Sequence, residues 1–507
     1  MPLLNSLINW INIKRIYQIE LFCKYPNDVQ REVLFNLLKK ARDTEWGKKY
    51  DYRSIDSIEQ FQQRIPLQHY EDLRPYVDRL RRGERNLIWP GEIKWFAKSS
   101  GTTCDKSKFI PVSKDSLEYC HFRGLRDVMA LYIRNYPDNQ VLKGKTLTLG
   151  GSHEMDQVNN NSFYGDLSAI LIENTPFWTE FRRTPSTEIA LIQEFEEKVD
   201  KIIENSIHEN VTAIAGVPSW YLILLQKVLE ATGKNHIHEV WPNLEVFIHG
   251  GIKFDPYREQ FKRLIPSNYM SYMEAYNASE GFFAIQDEPY RSDLLLMLDY
   301  GIFYEFIPMD QFHLDNPKVL TIDEVELNKN YALVISTNGG LWRYIIGDTV
   351  MFTSKNPYRL KITGRTKHFI NAFGEEVIID NAERALRIAN ESTGAIISEY
   401  TAGPIFMNAD TKGAHQWVIE FVKEPDNMEH YISALDNALK SVNSDYEAKR
   451  HKSITLERPH VLSAPKGTFY KWMKLRNKVG GQNKIPRLAN DRKYLDQLLP
   501  LLETADI

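Results

Sequence analysis

Three short apolar runs that end in paired glycines constrain this chain most. They are Lys145-Thr-Leu-Thr-Leu-Gly150-Gly151, Leu244-Glu-Val-Phe-Ile-His-Gly250-Gly251 and Tyr331-Ala-Leu-Val-Ile-Ser-Thr-Asn-Gly339-Gly340. Each reads as a buried strand running into a tight turn. Helical patterns at Glu188–Asn205 and Ser219–Ala231 lie between them. Strands alternating with helices imply an α/β domain, with ligands met at the carboxyl ends of the strands.

This texture begins near Lys94. The first ~90 residues instead carry helical spacing, as in Val29–Leu38 and Phe61–Leu80. After about Gly364 comes a smaller α+β unit. His415–Lys423 and Ile454–Leu462 read as strands there, and Met428–Asn443 as a helix. At 507 residues the chain exceeds one comfortable core. The expected division is residues 1–363, a hinge at 364–368 and a C-terminal domain at 369–507. Leu294–Pro308, interrupted by Asp299 and Glu305, is too short and too charged for a bilayer and predicts one or two buried strands.

Charge excludes some partners. A net charge of −4 offers no general attraction for nucleic acid or anionic membrane, so neither is expected. Cys23, Cys104 and Cys120 form no C-x-x-C pair, which excludes a disulfide framework or a zinc signature. With no cleavable leader pattern at the start, a cytoplasmic setting is the expectation. The sequence carries no direct statement of oligomeric state, and a monomer is the expectation.

The candidate chemistry starts at Lys98-Ser99-Ser100-Gly101-Thr102-Thr103, followed by Lys106, Ser107 and Lys108. Gly101 permits a turn whose freed N–H groups, with the flanking hydroxyls, form an anion-binding nest. Lys106 and Lys108 could add charge-assisted bonds to phosphate. Alone, such a run is more often a solvated loop. Three further segments join it: Tyr276-Asn277-Ala278-Ser279-Glu280-Gly281, Trp342-Arg343-Tyr344-Ile345-Ile346-Gly347-Asp348 and Gly364-Arg365-Thr366-Lys367. A tyrosine before a turn can cover a base, and a lone glutamate suits Mg²⁺, which takes one or two carboxylates beside phosphate oxygens. An aspartate after a glycine at a strand end suits ribose hydroxyls.

The order Ser-Ser-Gly-Thr-Thr, Tyr-x-x-Ser-Glu, Tyr-x-x-Gly-Asp, Gly-Arg-x-Lys resembles the adenylate-forming superfamily. More closely, it resembles the acyl acid amido synthetases of the auxin-responsive promoter family. Ile65-Pro66-Leu67-x-x-Tyr70, Gly467-Thr468-Phe469 and Gln482-Asn483-Lys484-Ile485-Pro486-Arg487 support the closer match. The resemblance implies a large adenylate-forming domain of mixed sheets and helices with a small α+β domain on a hinge. It implies an ATP-dependent ligase that converts a small carboxylic acid to acyl-AMP, releases pyrophosphate and passes the acyl group to an amine or amino acid. An acyl-CoA ligase with a thiol acceptor is the alternative, and a silent nucleotide-binding protein a third.

By the same resemblance Ser99, Ser100, Gly101, Thr102 and Thr103 hold the phosphates of ATP. Tyr276 flanks adenine, Ser279 lies in the nucleotide site, Glu280 binds Mg²⁺ and Asp348 holds the ribose. Arg365 reaches the nucleotide after domain rotation, and Lys484 is the candidate mobile cation for adenylation, with Lys466 as rival. Ile345 and Cys104 depart from the usual pattern, and Arg343 stands two residues before the first of them. His153 and His249 are candidate bases for the attacking amine, and Tyr164, Phe177, Trp178 and Phe181 are candidate pocket walls or core.

Overall fold

A computed structural model describes residues 2–99, 108–151, 153–155, 162–192, 194–251, 254, 257–366, 369–370, 375, 377–406, 413–443, 446–447, 450, 456–478, 484–489 and 491–503. The chain divides into two compact units. One comprises Met1–Phe254, Arg258–Ile346 and Val350–Lys361; the other comprises Asp255–Tyr257, Gly347–Thr349 and Ile362–Ile507.

The larger unit opens with helices α1 (Pro2–Lys24), α2 (Pro26–Ala41), α3 (Glu45–Lys49), α4 (Ile58–Arg64) and α5 (Tyr70–Arg81). Pro26 sits in the first turn of α2, where its missing N–H costs nothing, and Leu34, Leu37, Leu38 and Ala41 form its buried face. Asp72 accepts the His69 N–H at 2.7 Å and caps α5. Strands β1 (Trp95–Ser99) and β2 (Lys108–Val112) pair antiparallel, with Ser99 opposite Lys108. They join β4 (His153–Met155) and β5 (Phe163–Gly165) in a sheet ordered β2-β1-β5-β4.

Among the described residues the main sheet has eleven strands. In chain order these are β3 (Lys145–Thr148), β6 (Arg183–Thr184), β7 (Val211–Gly216), β8 (Val246–Gly250), β9 (Ser271–Ala278), β10 (Gly281–Ile285), β11 (Leu294–Leu296), β12 (Ile302–Pro308), β13 (Asn330–Thr337), β14 (Tyr344–Lys355) and β15 (Tyr358–Arg365). Their order is β12-β13-β14-β15-β11-β10-β9-β8-β7-β3-β6. β6, β3, β7, β8 and β9 run parallel. Parallel neighbours need crossovers, and helices supply them. The helices of this part are α6 (Lys114–Ser116), α7 (Phe122–Asn135), α8 (Leu167–Asn174), α9 (Thr187–Ala190), α10 (Phe195–Ser206), α11 (Pro218–Thr232) and α12 (Arg258–Leu264). α11 ends on Gly233 at φ 65°. From β9 onward hairpins take over, so β9–β10 and β12–β13 pair antiparallel. Leu294–Pro308 thus supplies two separate strands of one sheet.

The smaller unit contains the pair β16 (Phe369–Ile370) and β17 (Val377–Ile378). It also contains a sheet of β18 (Ile396–Ile405), β19 (Ala414–Lys423) and β20 (His460–Ala464). Helices α13 (Ile379–Thr393) and α14 (Met428–Val442) bury Leu386, Tyr431, Leu435 and Leu439 with Trp417 and Ile419 of β19. The third strand runs from His460; residues 454–455 of the expected strand lie outside the described residues, and Leu456 makes a single bridge to Gly413. Residues 486–489 run beside β18: Ala402 donates to the Arg487 carbonyl at 2.8 Å and Ala489 to the Ala402 carbonyl at 3.0 Å.

Candidate active site

The parallel strands converge on one edge of the large unit. β3 is followed by Gly150-Gly151, β8 ends at Gly250 with Gly251 at φ 82°, and β9 ends at Ala278. In α/β sheets this carboxyl edge receives ligands. Gly250 has no room for a side chain, because a Cβ would stand 2.4 Å from the Ala275 carbonyl oxygen. Lys198, buried in α10, donates to the Gly150 carbonyl at 2.9 Å and to that of Gly151 at 3.3 Å. Burial pushes its ammonium down to about 8, opposed by nearby Asp166. Nothing in the sequence around Lys198 marks it apart from its helical neighbours.

Ser279 and Glu280 form the two-residue connection between β9 and β10, with Ala278 facing Gly281 across the turn. Ser279 is buried and Glu280 half-buried. A carboxylate at such a tip, joined by phosphate oxygens, is a donor set that Mg²⁺ accepts. Among the described residues no three His, Cys, Asp or Glu side chains gather into a metal cage; a lone carboxylate such as Glu280 suits a magnesium whose other ligands are nucleotide oxygens and water. Tyr276 belongs to β9, not to the turn. It is 4% exposed and its ring lies 4.8 Å from that of Phe283, which leaves little of its face to a base.

Of the phosphate motif, Ser99 closes β1; Ser100, Gly101, Thr102, Thr103, Cys104, Lys106 and Ser107 lie outside the described residues. The strand that leaves this segment is anchored. The Phe109 N–H donates to the Tyr70 hydroxyl at 2.8 Å, so the Ile65–Tyr70 motif holds β2 in place. On the same small sheet Arg81 stands 3.9 Å over the Phe109 ring, and Lys98 5.6 Å over that of Tyr164. Tyr164 itself packs against Phe109 at 5.2 Å. Phe181 is exposed, and the side chains of Phe177 and Trp178 lie outside the described residues.

Asp348 lies within β14, four residues from its start, rather than at a strand end. Gly347 at φ 91° bends the strand just before it, and its carbonyl accepts the Thr366 N–H at 2.8 Å. This crosslink brings Arg365 to Asp348. The guanidinium Nε meets Asp348 Oδ1 at 2.9 Å, with the carboxylate nearly buried. Two residues 17 apart in sequence thus form one ion pair inside the smaller unit.

Arg343 does not enter this chemistry. It pairs with Glu305 in the core, while Ile345 joins Ile307, Ala332 and Val334 in an apolar cluster. Lys484 is exposed at the head of the segment beside β18. Nearby Arg487 is largely covered. It binds Glu399, the Tyr257 hydroxyl at 2.8 Å and the face of Tyr400 at 4.7 Å. Lys466 is also exposed, in the turn whose Gly467 N–H donates to Glu420 at 2.9 Å. His249 is buried, stacked 4.3 Å from Phe254, and burial with nearby Arg258 pushes it down to about 3. An imidazole so weakly basic is a poor acceptor for an ammonium proton. His153 lies in β4, and its side chain is outside the described residues.

Comparison with known proteins identifies the family. Three family models match in succession: the GH3 family N-terminal domain over residues 15–270, the central domain over 295–365 and the C-terminal domain over 380–493. The indole-3-acetic acid-amido synthetase GH3.3 of Arabidopsis thaliana is 22% identical, across 96% of this chain and 93% of its own. The jasmonoyl–L-amino acid synthetase JAR4 of Nicotiana attenuata is 22% identical across 90% and 89%. The solved structure of the AtGH3.15 acyl acid amido synthetase in complex with 2,4-DB superposes with a TM-score of 0.78 at 16% identity, covering 96% of this chain and 95% of that one. A 2-hydroxyisobutyryl-CoA ligase in complex with 2-HIB-AMP gives 0.60 at 13% identity, over 94% and 92%. Both likenesses are of fold. With domain models spanning residues 15 to 493 in family order, this chain belongs to the GH3 family.

Proposed function

We propose that this protein is an ATP-dependent acyl acid amido synthetase. It adenylates a small carboxylic acid, releasing pyrophosphate, and transfers the acyl group from acyl-AMP to an amine or amino acid. The observation that carries this reading is the GH3 family match along nearly the whole chain, and curated relatives named as amido synthetases support it. Their named acids, indole-3-acetic and jasmonic, are the first to try.

In this reading Ser99, Ser100, Gly101, Thr102 and Thr103 cradle the phosphates, Ser279 and Glu280 serve the nucleotide's magnesium, and Asp348 accepts from the ribose hydroxyls. Magnesium supplies charge neutralisation, without which a carboxylate would not approach an α-phosphate. Arg365, fixed by Asp348, adds a cation beside the ribose site, and Lys484 brings one to the adenylation step. Residues 369–507 turn about 364–368 between the half-reactions, so that one site serves both. The attacking amine must lose a proton; His249 is too weakly basic, which leaves His153, water or substrate phosphate to take it. The setting is cytoplasmic and the unit a monomer. No helix among the described residues is long and apolar enough to cross a membrane.

The test is acid-dependent pyrophosphate release across a carboxylic acid panel, with amino acids or coenzyme A as acceptor. An amide product is expected. A thioester product would make the protein an acyl-CoA ligase, and no release with any acid would remove the adenylation reading.

A further inference from the structure

The helix that packs under the Glu280 hairpin carries an irregularity. α6 and α7 are joined through a π-helical turn at Leu117–His121. Such turns insert an extra residue, rotate the helix beyond it, and recur at functional sites. Here the rotated face presents Cys120 and, one turn later, Gly124.

Both meet Phe282, two residues after Glu280. The β9–β10 ladder slips at this point: Phe282 faces Asn277, but Ala284 faces Tyr276, so Phe283 is an extra residue. The Phe282 N–H donates to Cys120 Sγ at 3.2 Å, and the thiol points back to the Phe282 carbonyl at 3.9 Å. The Phe282 ring lies over Gly124, where a Cβ would stand 2.4 Å from its Cγ. A backbone N–H left without a partner in this buried place is destabilising. The thiol is wholly buried, and burial pushes it up to about 12, so it stays protonated and unreactive.

We propose that Cys120 is a positioning residue: its sulfur anchors the Phe282 bulge and thereby sets where the β9–β10 turn holds Glu280. This rests on the reading of Glu280 as the magnesium-binding carboxylate. Packing alone would ask only for a small apolar side chain. The sulfur adds an acceptor, weak but aimed at the Phe282 amide beside the bulge.

Two substitutions separate these roles. Cys120→Val removes the acceptor and keeps a compact apolar side chain, slightly larger than cysteine, while Cys120→Ser keeps an acceptor in a smaller volume; Cys120→Ala replaces the valine variant should that not fold. In the ligand-free protein, hydrogen exchange at the Phe282 amide is expected to quicken about 10-fold or more in Cys120→Val and to stay near wild type in Cys120→Ser. In pyrophosphate release, the Mg²⁺ concentration for half-maximal rate is expected to rise about 3- to 10-fold in Cys120→Val and to recover in Cys120→Ser. Within a Glu280→Gln background that rise should vanish, because the anchor then has no carboxylate to place. Unchanged Phe282 exchange in Cys120→Val, or a serine variant worse than the valine one, overturns the anchoring. A magnesium shift of equal size in the Glu280→Gln background overturns the link to Glu280. A Glu280→Gln protein with unaltered magnesium dependence instead removes the reading of Glu280, while amide exchange still reports on the anchor.

Discussion

Arg343 grips Glu305 inside the core of the large unit. Its Nε donates to the two carboxylate oxygens at 3.2 and 3.1 Å, and both side chains are almost wholly buried. The same guanidinium donates to the carbonyls of Gln62 at 2.6 Å and Ile65 at 2.7 Å, and Gln62 returns a bond to Glu305 at 3.0 Å. Arg343 itself sits at φ 44°. Immediately beyond, Gln68 exchanges backbone bonds with Arg343 and Ile345, each at 2.9 Å. One buried cation therefore ties the Ile65–Tyr70 motif to the start of β14, the strand that carries Asp348.

Breaking this pair should destabilise the fold rather than slow the chemistry directly. Glu305→Gln or Arg343→Met leaves one charge buried without its counter-ion, a loss of about 3–5 kcal/mol. Arg343→Lys should fail almost as badly, because an ammonium lacks the fork that reaches a carboxylate and two carbonyls together. Urea titration checks this; midpoints within experimental error of wild type would refute it.

Asp348 and Arg365 should behave as a unit. Asp348→Asn removes both the carboxylate proposed for the ribose and the partner of Arg365. It is expected to raise the KM for ATP about 10- to 100-fold, the worth of a charge-assisted hydrogen bond. Arg365→Gln should lower the rate, and the double variant should fall short of the product of the two. Steady-state kinetics on all three supplies the cycle, and strictly multiplicative effects would show that the pair does not act together.

In the proposed mechanism the phosphate motif and the mobile cation belong to the first half-reaction. Ser100→Ala, Thr103→Ala and Lys484→Ala are expected to cut acid-dependent pyrophosphate release by about 10²-fold each. Acyl transfer from supplied acyl-AMP should fall far less. Were Lys466→Ala the more damaging of the two lysine variants, the adenylation cation would be Lys466. Equal losses in both half-reactions would refute the narrower role of the motif.

His249 should set part of the acid limb of stability. Its folded value of about 3 lies below the ordinary 6.5, with burial as the main cause. Between these values the unfolded chain binds the extra proton, so the stability associated with neutral His249 is present above pH 6.5 and is lost as pH falls toward 3. His249→Phe retains a ring beside Phe254 and Phe247 without a titrating group. Its stability relative to wild type should therefore rise as pH falls from about 6.5 to about 4.5, as measured by urea unfolding at each pH. A constant difference across that range would contradict it.

Much of this was legible locally. Apolar runs closed by glycine pairs reported β3, β8 and β13, because a buried strand and its turn leave their marks within about ten residues. Motif order, carried by Ser279, Glu280, Asp348 and Arg365, pointed to the family before the fold did. Other features could not be read this way. Asp348 looked like the end of a strand because Gly347 reads as a turn; in the fold that glycine bends β14, since the Thr366 N–H is there to meet its carbonyl. Arg343 stands among the motif residues, yet Glu305, 38 residues away, makes it a core ion. Tyr276 read as a residue able to cover a base; only the fold shows its ring packed beside Phe283. Cys120 carried no signal, because its partner is a single amide 162 residues further on.

The sequence by itself determined the strand–turn–helix alphabet and the chemical inventory, since backbone preference, side-chain charge and glycine's freedom are properties of a residue and its near neighbours. Tertiary structure alone decided which charges became core, which became paired and which amide fell to a sulfur. Those outcomes depend on burial and on partners brought within about 3 Å, and chain separation carries no record of either.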